Sequence, residues 1–181
     1  MRSVFVILML AKSLVAVGQK TANVNLSLTM PSVALIDILP SATSTVALKM
    51  TAPTEAGSAA GVGTSNSGNW LILTSAVTAS GSRSVKGDVV GTLPPGIRLR
   101  LDVSPYTGSG QGFTAGTGYV TSNVYLTNTA NSFIENIKGA YTGTGYGTNG
   151  FKLKYSIEIA NYGNIRSGTA SLTVRYTLAD N

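Results

Sequence analysis

The side chains that most often carry reaction chemistry are missing from this sequence. It contains no histidine and no cysteine in 181 residues. A Ser-His-Asp arrangement needs an imidazole to move the proton. Thiol nucleophiles and Cys/His zinc sites need residues that this chain lacks. The carboxylates remain: Asp37, Glu55, Asp88, Asp102, Glu135, Glu158 and Asp180. A carboxylate pair can run glycoside hydrolysis, but none of the seven lies in a cluster with aromatic neighbours suited to a sugar cleft. Calcium ligation through Asp37, Asp102 or Asp180 has no spacing signature of the kind an EF-hand loop provides. Gly145, Gly147 and Gly150 have the spacing of a dinucleotide-binding turn. That turn works because a strand enters it and a helix leaves it, whereas this one leads into an alternating segment starting at Phe151. These residues point to a protein that is not an enzyme and has no catalytic, cofactor or metal site.

Binding chemistry is better represented. Arg98 and Arg100 share one face of an alternating segment, and so do Lys152 and Lys154. Residues two apart on a strand point to the same side about 7 Å apart, so two such pairs on neighbouring strands would form a small basic patch. Such a patch could meet a surface polysaccharide, or it could be a solvated face whose charges discourage edge pairing. Tyr141 and Tyr146 flank glycine-rich sequence and are the candidate sugar-stacking side chains. Trp70, the single tryptophan, sits in Asn69–Val77 (NWLILTSAV), which reads as a strand buried on both faces, with Trp70 in the core. Asp37 interrupts an apolar run. A carboxylate there is costly unless hydrogen-bonded, which places it at a strand end or edge against backbone N–H groups.

The elements that must position these residues follow from composition and period. Charged residues are 11% of the chain, far below the ~25% of an average soluble domain. Ser, Thr, Asn and Gly must therefore cover the surface, as in many extracellular β proteins. The N-terminus has a positive residue (Arg2), an apolar stretch (Ser3–Ala11) and small residues at Ala16 and Gly18. This is the pattern of an export signal cleaved between Gly18 and Gln19. The stretch is too short to span a bilayer, which takes ~20 apolar residues, and Lys12 interrupts it, so stable membrane insertion is not expected. Removing Arg2 and Lys12 leaves 11 basic against 7 acidic residues, a net charge of +4. That is far from a nucleic-acid-binding footprint.

From Thr21 onward the dominant period is two. Val24, Leu26, Leu28 and Met30 alternate with polar residues, as do Val46, Leu48 and Met50. The pattern recurs over Ile97–Val103, Phe151–Ile159 and Ser171–Leu178, with denser or weaker strands at 32–39, 69–77, 82–90, 119–128 and 133–141. Gly87 suggests a bulge in the strand over 82–90. Residues 52–68, 107–118 and 142–150 read as long, flexible loops. Roughly nine strands with glycine-rich turns predict an all-β, antiparallel two-sheet sandwich of Ig-like or pilin-like type over 19–181.

The stretch Ser167–Leu178 (SGTASLTVRYTL) resembles the closing strand of secreted pilin-like sandwiches of the spore-coat-U and archaic chaperone–usher type. The chain as a whole resembles small exported β proteins of Bacteroidota through Leu48–Glu55, Leu93–Ile97 and Gly139–Gly143. The pilin-like families often carry a disulfide, which this cysteine-free chain departs from. The resemblance implies a bacterial surface fibre or matrix subunit completed by strand exchange. The expected function is accordingly a secreted structural or adhesive surface protein that forms homo-oligomers or filaments, with Val24, Leu26, Leu28 and Met30 as the assembly strand. The alternative is a carbohydrate- or surface-binding module using Tyr141, Tyr146, Arg98, Arg100, Lys152 and Lys154.

Overall fold

The computed structural model describes residues 21–41, 45–114 and 116–181. The expected signal over 1–18 and its cleavage point lie outside the described residues. The chain divides at Met30, and residues 31–181 form one compact unit. Residues 21–30 contain no strand, although their alternation predicts one.

The compact unit is built of strands β1 (Val33–Leu39), β2 (Met50–Thr51), β3 (Gly61–Val62), β4 (Asn66–Ala76), β5 (Arg83–Val90) and β6 (Ile97–Val103). These are followed by β7 (Val120–Thr121), β8 (Val124–Leu126), β9 (Asn131–Ile137), β10 (Ala140–Tyr141), β11 (Phe151–Ile159) and β12 (Thr173–Asp180). Five of the twelve have only two or three residues, which is why a count from alternation alone falls short. The first sheet runs β1-β4-β11-β6-β8, with β10 also on β4; the second runs β12-β5-β9-β7; β2 and β3 pair separately. Every pairing is antiparallel.

Alternation puts every second side chain of the central strands into one core. Leu71 and Leu73 of β4, Leu99 and Leu101 of β6, and Phe151 and Leu153 of β11 meet Val85 and Val89 of β5 and Phe133 and Ile137 of β9. The expected strand over 119–128 is two strands in different sheets. Ser122 donates to Phe133 O while the Asn123 side chain accepts from Val103 N–H, so the chain changes sheets between β7 and β8. The irregularity near Gly87 also differs from expectation. The β5–β9 register slips before it, between Arg83 and Lys86. Gly87 is instead a point of close packing, where an added Cβ would stand 3.0 Å from Leu126 Cδ2 and 3.2 Å from Phe133 Cε1.

Two of the three presumed flexible loops are pinned to each other. Thr107 bridges to Gly150 and Gln111 to Tyr141. The Tyr106 hydroxyl donates to Thr142 O and accepts from Gly110 N–H, and Asn149 Oδ1 accepts from Ser109 N–H. Beneath them Phe113 is buried among the rings of Tyr106, Tyr119 and Phe151, with centroids 4.9–5.4 Å away.

One buried cation ties the two sheets together at one end. Arg83, at the start of β5, donates to Val33 O of β1 and to Ser75 Oγ and Ala76 O of β4. It also donates to Ser32 Oγ and pairs with Asp180 of β12 at 2.6 Å. The guanidinium is buried while the Asp180 carboxylate is 80% exposed, so its backbone partners matter more than its ion pair. Arg83→Met leaves those carbonyls without their donor, at about 1–3 kcal/mol per buried group, and a loss of about 2–4 kcal/mol is expected. Asp180→Asn, which removes an exposed charge, is expected to cost under ~1 kcal/mol. Urea unfolding of both variants checks this ordering, and equal losses would contradict it.

Candidate functional site

The residues expected to bind ligand do not converge. The β6–β11 ladder sets Lys154 opposite Asp102, Ser156 opposite Arg100 and Glu158 opposite Arg98. Arg98, Arg100, Lys152 and Lys154 therefore share a sheet face, but two carboxylates are interleaved with them. Arg100 binds Asp102 at 2.6 Å and Glu158 at 3.2 Å, Arg98 binds Glu158 at 3.1 Å, and Lys154 lies 3.9 Å from Asp102. Tyr125 donates to Glu158 at 2.8 Å while its ring lies 4.3 Å beneath the Arg98 guanidinium. The Tyr125 hydrogen bond, then Arg100, hold the Glu158 carboxyl below its ordinary range; Asp102, then Glu158, raise Arg100. Two carboxylates thus offset part of the charge of the four cations and tie three of them into ion pairs.

The aromatic candidates fare no better as a sugar cleft. Tyr146 is 55% exposed, yet its hydroxyl donates to Gly68 O, fixing its loop to the start of β4. Tyr141 is exposed on β10, across from Thr74. Neither lines the shallow surface concavities around Gly81, Asn136 and Lys138 or around Lys86, Tyr125 and Glu135. Among the described residues no group of three or more acidic side chains is placed to hold a metal ion. Asp37 lies on the edge strand β1 and accepts from Ile38 N–H at 2.7 Å. Trp70 is a correction: Leu71, Leu73 and Ser75 occupy the inward side of β4, and Trp70 and Ile72 face outward, half-buried. An apolar run alone did not distinguish the two sides.

The feature that stands out is one margin of the sandwich. Among the described residues β12 pairs only with β5, and β1 only with β4, so each has an edge without a ladder. Val174, Tyr176 and Leu178 alternate along β12 toward the core, yet remain only half-buried. Ile36 and Ile38 of β1 do the same. Val46 and Leu48 also pack partly buried against the core, in a segment that alternates over 45–50 and is paired as a strand only at Met50. The middles of the central strands bury their inward side chains, as at Leu71, Leu101, Phe133 and Leu153, whereas along β12 and β1 the inward apolar rows stay partly exposed over their whole length. Under the rim, Tyr176 of β12 meets Tyr155 of β11, with hydroxyl oxygens 2.5 Å apart, and its ring lies 5.7 Å from Phe133. Burial raises both phenols above the ordinary tyrosine range, and Tyr155 adds to the effect on Tyr176.

The residues expected to form an assembly strand are exposed. Val24, Leu26, Leu28 and Met30 are 80–91% exposed. The sequence did not single out Val174, Tyr176 and Leu178, because alternation does not reveal which strand will lack a neighbour. Comparison of the chain with family models, with curated proteins and with solved structures returns no match.

The tyrosine pair gives a prediction with a definite sign. A phenol whose folded pKa is raised favours the folded state in its protonated form. Its contribution is present in full below the unfolded value of about 10 and is lost as pH rises from there toward the folded value. The domain is therefore expected to lose stability above about pH 10, and Tyr155→Phe/Tyr176→Phe to shift alkaline unfolding, followed by circular dichroism, to higher pH. Each single replacement strands a hydroxyl, costing about 1–3 kcal/mol, while the double replacement costs less than their sum. An unchanged alkaline midpoint in the double variant would contradict the assignment.

Proposed function

We propose that this protein is a structural subunit of a bacterial surface assembly, in which residues 23–30 of one copy complete the open margin of another. The observation that carries the reading is the pairing of two surpluses. Four alternating apolar side chains on the arm are 80–91% exposed, and the compact unit ends in a margin whose own alternating apolar rows stay partly exposed. Strand addition satisfies both: main-chain hydrogen bonds join the unpaired edge, and alternate side chains fill the gaps between rows. Burying four such side chains gives a gross term of about 6–12 kcal/mol, at ~1.5–3 each. Ordering the arm and joining two molecules oppose it with terms of comparable size, so pairing along the whole arm is required for a stable joint.

The absence of cysteine and histidine, the export pattern of the N-terminus and the Thr/Gly/Asn-rich surface support an extracellular structural role. The charge network around Glu158 and the hydrogen-bonded Tyr146 weigh against the polysaccharide-binding alternative.

The test uses Leu26→Asp/Leu28→Asp in the full chain. Electron microscopy and light scattering are expected to show filaments or oligomers for the native sequence and monomers for the variant. Thermal unfolding of the variant monomer is expected to keep the cooperativity of a folded domain, because both positions lie outside the compact unit. Filaments from the variant, or a variant that unfolds outright, would refute strand exchange.

A further inference from the structure

The connection from β11 to β12 is bonded over its first half and free over its second. It spans residues 160–172 and is exposed throughout, apart from half-buried Ile165 and Leu172. Ala160 and Asn161 donate to Gly96 O, and Asn161 caps a 3-10 turn over Tyr162–Asn164 whose Tyr162 hydroxyl accepts from Ala60 N–H. Beyond Ile165 the bonding stops. Among the described residues nothing hydrogen-bonds to Ser167, Gly168, Thr169 or Ala170, and backbone pairing resumes with Thr173 opposite Val90. An exposed stretch of small and polar residues with no backbone hydrogen bonds is where a folded chain is most easily drawn into a protease cleft.

One side chain gives this stretch a cleavage specificity. Arg166 is exposed and is the only basic residue between Lys154 and Arg175. Its guanidinium donates to Gly163 O at 3.0 Å and to Ile165 O at 2.8 Å, and among the described residues it forms no ion pair. A carboxylate at the base of a protease specificity pocket therefore competes only with two carbonyls of its own turn. The loops over 52–60, 107–118 and 142–150 contain no lysine or arginine. Elsewhere in the compact unit the basic residues lie within β5, β6, β11 and β12, with two exceptions. The Lys49 carbonyl accepts from Gly63 N–H, and Lys138 sits in the two-residue turn between β9 and β10.

The chain beyond Arg166 is held to the domain by bonds of its own. β12 pairs with β5 from Thr173 to Asp180, and Leu172, Val174, Tyr176 and Leu178 pack against the core. Arg175 binds Asp88, Asp180 binds Arg83, and the Asn181 side chain bonds to Ser82 and Ser84. We infer that the Arg166–Ser167 peptide bond is a processing site for a protease of trypsin-like specificity, and that the cut turns β12 into a separately held, replaceable strand. Hydrolysis breaks the bond between the Arg166 carbonyl carbon and the Ser167 nitrogen. Water supplies a hydroxyl to the carbon and a proton to the nitrogen, leaving a carboxylate and an ammonium group at neutral pH. Residues 167–181 then stay seated through noncovalent bonds alone. The inference does not depend on the arm over 21–30.

Trypsin tests this on the full chain. Brief digestion under native conditions is expected to cut the compact unit first after Arg166, read by mass spectrometry as a fragment beginning at Ser167. The two pieces are expected to co-elute in gel filtration and to separate only in denaturant. Arg166→Gln, at an exposed position, is expected to slow this cut about tenfold, because the specificity pocket loses its cation, with the unfolding midpoint unchanged. A labelled peptide of residues 167–181, added in excess, is expected to enter the nicked protein and not the intact one. A first cut elsewhere in 31–181, or Arg166→Gln protein nicked as fast as the native chain, would overturn the processing site. Loss of the fragment in gel filtration, or peptide uptake that is the same for nicked and intact protein, would overturn the replaceable strand.

Discussion

A β-strand with one apolar face has two requirements: a partner for its edge and a cover for its face. The central strands of this sandwich meet both. β12 meets one and a half, since β5 pairs with one of its edges and Val174, Tyr176 and Leu178 reach the core without being enclosed by it. The arm over 21–30 meets neither within the described chain. A cysteine-free domain cannot offset such a shortfall with a disulfide, so burial and hydrogen bonding alone must stabilise it. The margin at β12 is thus where the stability of the domain and its proposed association depend on the same side chains.

The devices around that margin fit together. Arg83 binds carbonyls of β1 and β4 and the end of β12 with one guanidinium, fixing how the two outer strands stand at that end. Tyr155 and Tyr176 join the sheets below the rim, so the half-covered rows rest on a polar link that is itself satisfied. On β12 the outward Arg175 forks onto buried Asp88 at 2.7 and 3.1 Å, holding the edge strand to β5 by more than its ladder. An edge so anchored keeps its shape while one side stays open, which is what a preformed acceptor requires.

Much of this fold was legible in the sequence, because alternation over Ile97–Val103 and Phe151–Ile159 allows only one face to be dry. What the sequence withheld depends on neighbours. Trp70 and Leu71 are both apolar letters in one run, and only the packing of β4 against β11 and β5 decides which of them is core. Arg98 and Arg100 look like free cations until register brings Glu158 beside them. The stretches over 107–118 and 142–150 have the composition of flexible loops, yet Tyr106 and Asn149 join them through bonds spanning 36 and 40 residues. In the candidate site, the alternation over 21–30 was visible as a pattern, whereas the open margin of β12 and β1 is defined by a missing neighbour, which no local pattern encodes.

The central claim is that the arm of one copy lies beside β12 of another. Since the native chain has no cysteine, two single substitutions make a clean probe: Leu26→Cys in one batch and Val174→Cys in a second, mixed and oxidised under mild conditions. Strand exchange predicts a covalent heterodimer of one chain of each kind, in excess over either homodimer. Absence of the heterodimer from the mixture, or heterodimer no more abundant than the two homodimers, would contradict it.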